Sequence, residues 1–184
     1  MKIGVISDTH GHEGAWDKAN KFFAGADMII HAGDVLYHGP RNPMKADYNP
    51  AGLVTKINDS KIPVVISRGN CDSSVDESCL DVPICNPYAY VVMGGKNILV
   101  THGDAVMEDA AKDKLAKKMK ADIMISGHVH VTVLEKRGDT VFLNPGSAAL
   151  SKREDGRATC AVIEDAKITI YDIDSAEVLA QLAI

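Results

Sequence analysis

A cationic excess, abundant aromatics, paired cysteines and long apolar runs are all missing from this sequence, and each absence removes a class of function. The formal net charge is −5, so the chain has no broad positive field for a polyanion, and extended nucleic-acid binding is not expected. Aromatic residues make up only 5% of the chain, leaving Val, Ile, Leu, Ala and Met as the apolar content, which suits strands and helices packed in layers. Cys71, Cys79, Cys85 and Cys160 lie apart, without the pair spacing of a zinc cage. Met1-Lys2-Ile3 enters an apolar run directly with no leader-like stretch, so a reduced, cytoplasmic location is expected. No apolar run approaches the ~20 residues that span a bilayer, and membrane insertion is not expected.

What remains is a chain of 184 residues with 46% hydrophobic content, enough for one substantial core and short for two. A single domain over 1–184 of α/β or α+β class is expected. Lys112, Lys114, Lys117, Lys118 and Lys120 are interspersed with Glu108, Asp109 and Asp113 and read as a solvated helix face.

One local pattern occurs five times: a short β-branched run breaks abruptly into Gly, His, Asp or Asn. Ile3 to Ile6 leads into Ser7-Asp8-Thr9-His10, Met28 to Ile30 into His31-Ala32-Gly33-Asp34, and Val64 to Ile66 into Ser67-Arg68-Gly69-Asn70-Cys71-Asp72. Ile98 to Val100 leads into Thr101-His102-Gly103-Asp104, and Ile123 to Ile125 into Ser126-Gly127-His128-Val129-His130. Runs this short read as buried strands. Helices are predicted over Ala15 to Phe23, Ala51 to Asn58 and Ala110 to Met119, which makes strand-helix-strand crossovers reasonable. In open sheets of that construction ligands bind beyond the carboxyl ends of the strands, so residues distant in sequence can share one site.

Three hairpins are predicted: Tyr90-Val91-Val92 with Ile98 to Val100, Val131 to Leu134 with Val141 to Leu143, and Cys160 to Ile163 with Ile168 to Tyr171. They suggest a second, more antiparallel sheet, two sheets lying between helices. Leu36 to Pro50 holds Gly39, Pro40, Pro43 and Pro50 without periodicity and reads as a long loop, either a rim of the substrate site or an ordinary surface connection. No internal repeat or linker is evident.

The polar residues at these strand ends carry the chemistry. Asp8 and His10 stand one residue apart, where an irregular backbone can aim both at one ion. Asp34 adds a carboxylate able to bridge two ions, and His102, His128 and His130 add imidazoles from two further strand ends. With Asn70 these make seven candidate ligands, a mixed nitrogen and oxygen set that suits two divalent ions such as Mn²⁺, Fe²⁺, Zn²⁺ or Ni²⁺. His31 reads as a packed histidine, and Asp104 as structural. His12, His38, Arg41 and Arg68 are candidates for phosphate oxygens or for ordinary salt bridges, with His12 and Arg41 retained as substrate contacts.

Taken in order, Asp8-Thr9-His10, Gly33-Asp34, Gly69-Asn70-Cys71-Asp72, Thr101-His102-Gly103-Asp104 and Gly127-His128-Val129-His130 resemble the five motif blocks of the calcineurin-like metallophosphoesterase superfamily. Within it, the compact length, His38-Gly39-Pro40-Arg41-Asn42 and Asn144-Pro145-Gly146-Ser147 are similar to the small bacterial YfcE-type phosphodiesterases. The resemblance spans essentially the whole chain. It implies a four-layer α/β/β/α sandwich with two mixed sheets, one metal on Asp8, His10, Asp34 and His130, and a second on Asp34, Asn70, His102 and His128. It also implies a water activated between the ions as the nucleophile attacking phosphorus.

Asp34, Asn70 and Cys71 are thereby the expected catalytic residues, although Cys71 stands where many members carry a histidine that protonates the leaving group. A thiol is a poor substitute for that acid; solvent, His12 or no group at all would supply the proton. Asp72, which supports that histidine in the family pattern, reads as a loop or capping carboxylate. The implied activity is hydrolysis of a small organic phosphodiester. A phosphomonoesterase or nucleotide pyrophosphatase on the same site is the first alternative. A noncatalytic scaffold is the second, since the architecture also resembles a retromer subunit. The hairpins' apolar faces permit a homo-oligomer.

Overall fold

Side chains leave a strand on alternate faces, and in this chain both faces of the central strands are apolar because both are covered. The computed structural model describes residues 1–184. Its elements are β1 (Lys2–Ile6), α1 (Glu13–Asn20), β2 (Met28–His31), α2 (Pro50–Asn58), β3 (Val64–Ser67), α3 (Ser74–Cys79), β4 (Ile84–Cys85) and β5 (Ala89–Met93). There follow β6 (Lys96–Val100), α4 (Asp109–Met119), β7 (Ile123–Ile125), β8 (Thr132–Arg137), β9 (Thr140–Pro145), β10 (Thr159–Glu164), β11 (Lys167–Asp172) and β12 (Val178–Ala183).

The strands form a seven-stranded sheet in the order β12-β11-β10-β1-β2-β3-β4 and a five-stranded sheet in the order β5-β6-β7-β9-β8. Strands β1 to β4 are parallel, with the antiparallel β10, β11 and β12 joined on at β1. In the second sheet β6, β7 and β9 are parallel, flanked by antiparallel β5 and β8. Both sheets are therefore mixed. That agrees with the two mixed sheets implied by the resemblance, while the suggestion that the hairpins build a second, more antiparallel sheet is corrected: the three predicted hairpins form, but they are divided between the sheets as extensions of parallel cores.

Ile3 and Val5 of β1, Ile30 of β2, Ile98 and Val100 of β6, Ile123 and Ile125 of β7, and Val141 and Leu143 of β9 meet in one core between the sheets. The residues on the other face turn outward to helices. Ile29 packs with Trp16, Phe23, Leu53 and Ile57 from α1, α2 and the turn after α1, and Leu99, Met124 and Phe142 pack with Ala116 of α4. Four layers follow, helix, sheet, sheet, helix. Gly4 shows how close the outer layer lies, since a Cβ there would come 2.4 Å from the ring of Phe23.

Helix starts follow their caps. Asn49 accepts from the amide of Gly52 with Pro50 opening α2, and Ser73 and Asp76 form a reciprocal capping box on α3. No helix is long and apolar enough to cross a membrane. Strand register sets the site: Ile6 pairs with His31 and His31 with Ile66, while Val100 pairs with Ile125 and Ile125 with Leu143. The polar segments that follow thus leave each sheet at one level and along one edge.

Candidate metal centre

Beyond those strand ends the backbone turns into the left-handed region. Five of the nine non-glycine residues with positive φ are candidate ligands: Asp8 at 54°, His10 at 46°, Asp34 at 57°, His128 at 70° and His130 at 59°. Residues with a Cβ avoid this region, and such strain persists only where surrounding bonds enforce it. Those bonds are present. The amides of Asp8 and His10 donate to the carbonyls of Gly33 and Asp34 at 3.0 Å each, and the Ser147 hydroxyl donates to the carbonyl of Asp8 at 2.8 Å. The buried carboxylate of Asp72 accepts from the amides of Gly69, Asp34 and Val35 at 2.7, 2.9 and 2.7 Å. Gly33 at φ 96° is required by crowding, since a Cβ there would lie 2.7 Å from the Gly69 amide and 2.8 Å from Nδ1 of His102.

The donor atoms of the predicted ligands converge in two groups, and Cys71 Sγ with His10 and Asp34 makes a third cluster between them. In the first, Asp8 Oδ1 lies 3.1 Å from His130 Nε2, and His130 Nε2 lies 3.2 Å from His10 Nε2. In the second, Asp34 Oδ2 lies 3.3 Å from His102 Nε2, which faces His128 Nδ1 at 3.3 Å. Asp34 Oδ2 is also 3.7 Å from His10 Nε2, so it stands between the groups. Asn70, exposed at the cleft, directs its amide nitrogen to Cys71 Sγ at 3.4 Å, which leaves its amide oxygen as the donor it can offer an ion.

Ring protons show what this arrangement requires. Nδ1 of His10, His102 and His130 faces the carbonyls of Tyr37, Ala32 and Leu150 at 2.8, 2.7 and 2.5 Å. A carbonyl only accepts, so each Nδ1 carries the proton and each Nε2 of a neutral ring presents a lone pair. Lone pairs of His10 and His130 then point at one another, an arrangement favourable only with a proton or a cation between them. Asp8 Oδ1 is buried and makes no hydrogen bond, since the His130 Nε2 that lies 3.1 Å away turns a lone pair to it and not a proton. An orphaned buried carboxylate oxygen beside opposed imidazole nitrogens fits a cation site.

Electrostatics agree. Burial opposes ionisation of Asp34, but its hydrogen bond to His102 and the charge on that ring hold the carboxyl well below the usual carboxylate range. Burial likewise opposes charge on His102, yet the bond to Asp34 and the charges of Asp8 and Asp34 raise it to about 9. Without ions, a proton on His102 partly balances the two acids. Burial lowers His10 and His128, keeping these rings neutral and able to bind a metal.

A cleft of about 340 Å³ opens onto this centre, lined in part by His10, Asp34, Arg41, Cys71, His130 and Lys152. A larger hollow, about 520 Å³, lies at the opposite end of β9 against α4 and holds none of the candidate ligands. Arg41 thus lies where a substrate contact was expected. His12 does not: its side chain is fully buried, with Nδ1 donating to Asp47 Oδ1 at 2.8 Å, so the sequence-based expectation of a substrate contact or leaving-group donor there is corrected. His31 is packed as expected, accepting from the Gly33 amide and bonded to the Thr9 hydroxyl. Arg68 and Asp104 line a separate hollow beside Asn70. The Cys71 thiol is pushed up to about 12 by burial and by Asp34 beside it.

Residues 1–167 match the model of the calcineurin-like phosphoesterase superfamily domain. The chain belongs to the calcineurin-like phosphoesterase superfamily. It is 32% identical over 186 residues to phosphodiesterase YfcE of Escherichia coli strain K12, covering 100% of this chain and 98% of that protein. The structure of the E. coli YfcE phosphoesterase superposes with a TM-score of 0.86 at 31% identity, covering both chains completely. Vps29 of Entamoeba histolytica in complex with Zn²⁺ shares the fold with a TM-score of 0.68 at 20% identity, over 100% of this chain and 99% of that one.

Asp72, read from the sequence as a loop or capping carboxylate, clamps the loop of Asp34 to the loop of Asn70. Sequence reading of this phosphoesterase missed one residue near the centre. Lys152 enters the cleft from a segment with no motif at all. This calcineurin-like phosphoesterase is a metal-dependent phosphoric ester hydrolase, with its candidate ligands gathered at the rim where the sheets meet.

Proposed function

We propose that the chain hydrolyses small organic phosphodiesters using two divalent ions, one held by Asp8, His10, Asp34 and His130 and the other by Asp34, Asn70, His102 and His128. The observation that carries this reading is the pair of donor groups sharing Asp34 Oδ2, one of which leaves Asp8 Oδ1 without a hydrogen bond. Mn²⁺ is the proposed metal; Fe²⁺, Zn²⁺ and Ni²⁺ also suit a mixed imidazole and carboxylate set. Ions so held lower the pKa of water and offset charge that develops on the phosphoryl oxygens. Asp34 joins the two sites, Asp72 fixes its loop, and Arg41 on the cleft wall is a substrate contact. Diester preference is supported by likeness to a protein named as a phosphodiesterase.

The test is a panel of bis(4-nitrophenyl) phosphate, 4-nitrophenyl phosphate and a nucleoside diphosphate with added Mn²⁺. Preferential hydrolysis of the diester is expected. Faster turnover of the monoester or diphosphate would select the alternative activities, and absence of both hydrolysis and bound metal would select a scaffold.

A further inference from the structure

We infer that Arg41 and Lys152 form a second anion subsite, so that the preferred substrate is a phosphodiester carrying a terminal phosphomonoester on the arm that is not expelled. This rests on the phosphodiesterase reading above. The chain has five arginines, and four are engaged by carboxylates: Arg68 with Glu77, Arg137 with Asp113, Arg153 with Asp155 and Arg157 with Glu177. Arg41 is the exception. Neither it nor Lys152 has a carboxylate within 4.0 Å, and both face the cleft that opens onto the ligands.

The walls that carry the two cations are tied to each other and to the centre. Lys45 Nζ donates to the carbonyl of Ala149 at 2.5 Å, linking the loop of Arg41 to the segment of Lys152. The Lys152 amide donates to the carbonyl of His130 at 3.0 Å, and His130 Nδ1 donates to the carbonyl of Leu150 at 2.5 Å. Lys152 is thereby held in register with a candidate ligand.

Charge decides the class of ligand. Asp34 is the only carboxylate lining the cleft, and it is already assigned to the ions. On a chain of net charge −5, two unpaired cations in one recess match a dianion better than a carboxylate or a neutral group. A phosphomonoester also offers the three oxygens that a guanidinium and an ammonium can share.

Three diesters with a common 4-nitrophenolate leaving group test this, the retained arm being methyl, 2-carboxyethyl or 2-phosphonoethyl. On the Mn²⁺-loaded protein, kcat/KM is expected to rise in that order, with the phosphonate roughly tenfold or more above methyl. In the double variant Arg41→Gln, Lys152→Gln the ratio should fall towards one, mainly through KM. Calorimetric binding of 2-phosphonoethyl phosphate against methyl phosphate gives a readout independent of turnover, with the same preference and the same collapse expected. A phosphonate arm no better than methyl in both measurements overturns the subsite. So does a preference that survives the double substitution, which would assign the phosphonate to the ions. If none of the diesters is hydrolysed but the binding preference holds and collapses as expected, the subsite stands and the phosphodiesterase reading fails.

Discussion

The two sheets contribute unequal halves of the candidate centre. The seven-stranded sheet supplies both carboxylates, Asp8 and Asp34, together with His10 and Asn70 from the ends of β1, β2 and β3; the five-stranded sheet supplies only imidazoles, His102, His128 and His130, from the ends of β6 and β7. One side carries the negative charge, and the other adds only imidazoles to the proposed coordination. Neither sheet has a full set, so the site exists only because the apolar core between them fixes the edges against each other. Bound ions would act as a polar clamp across that seam and stabilise the folded state by linkage.

The largest effect should come from breaking the shared element. Asp34→Asn removes the carboxylate that stands between the donor groups, and kcat/KM is expected to fall by ~10³-fold or more. A loss below about tenfold in steady-state assays would mean that the halves work without a bridge.

The second effect concerns polar burial in the seven-stranded sheet. His31 is fully buried, and burial lowers its pKa from 6.5 to about 4. Below the unfolded value the unfolded chain binds a proton that the folded chain refuses. Stability is therefore full above pH 6.5 and declines as pH falls towards 4, by about 3 kcal/mol in the limit. Urea unfolding of the ion-free protein at pH 7 and 4.5 should show a steeper loss for wild type than for His31→Gln; equal slopes would remove His31 as the cause.

A third pair of variants separates rim from core. Asp72→Asn weakens the clamp on the Asp34 loop and should lower metal affinity ~10–100-fold. Gly4→Ala forces a Cβ against Phe23 and should cost about 1–3 kcal/mol of stability with metal affinity retained. Metal titrations of both variants, alongside unfolding curves, check the contrast. Similar metal losses in the two would show that rim and core are not separable.

The smallest change is expected at Cys71. With its thiol pushed up to about 12 by burial and Asp34, or with a nearby cation favouring thiolate, the side chain is a poor proton donor at neutral pH. Cys71→His supplies an acid of suitable pKa and should raise turnover by about tenfold for poor leaving groups, with little gain for 4-nitrophenolate. A flat or falling response across a leaving-group series would count against it.

Most of the centre was legible because its residues follow buried strands directly: Asp8, Asp34, Asn70, His102 and His128 each lie within four residues of a strand end. The layered fold was legible for the same reason, since an uninterrupted apolar run implies a strand covered on both faces. The misses have physical causes. Helix α3 is a six-residue polar segment whose only local signal is the Ser73 and Asp76 capping box. Strand β4 has two residues, and β12, Val178–Ala183, gains its pairing from β11 and shows no strict alternation. His12 was misplaced because its partner, Asp47, lies across a loop with no periodic pattern, and Lys152 is held at the cleft by its amide's bond to the His130 carbonyl, which no spacing encodes.

The most direct test is the metal content per chain of protein reconstituted with Mn²⁺ and freed of loosely bound ions, measured for wild type and Asp34→Asn. Two equivalents in the wild type and a clear reduction in the variant are the result expected of donors that span both sheets around one common carboxylate. One equivalent or none in the wild type, or an unchanged content in the variant, would contradict it.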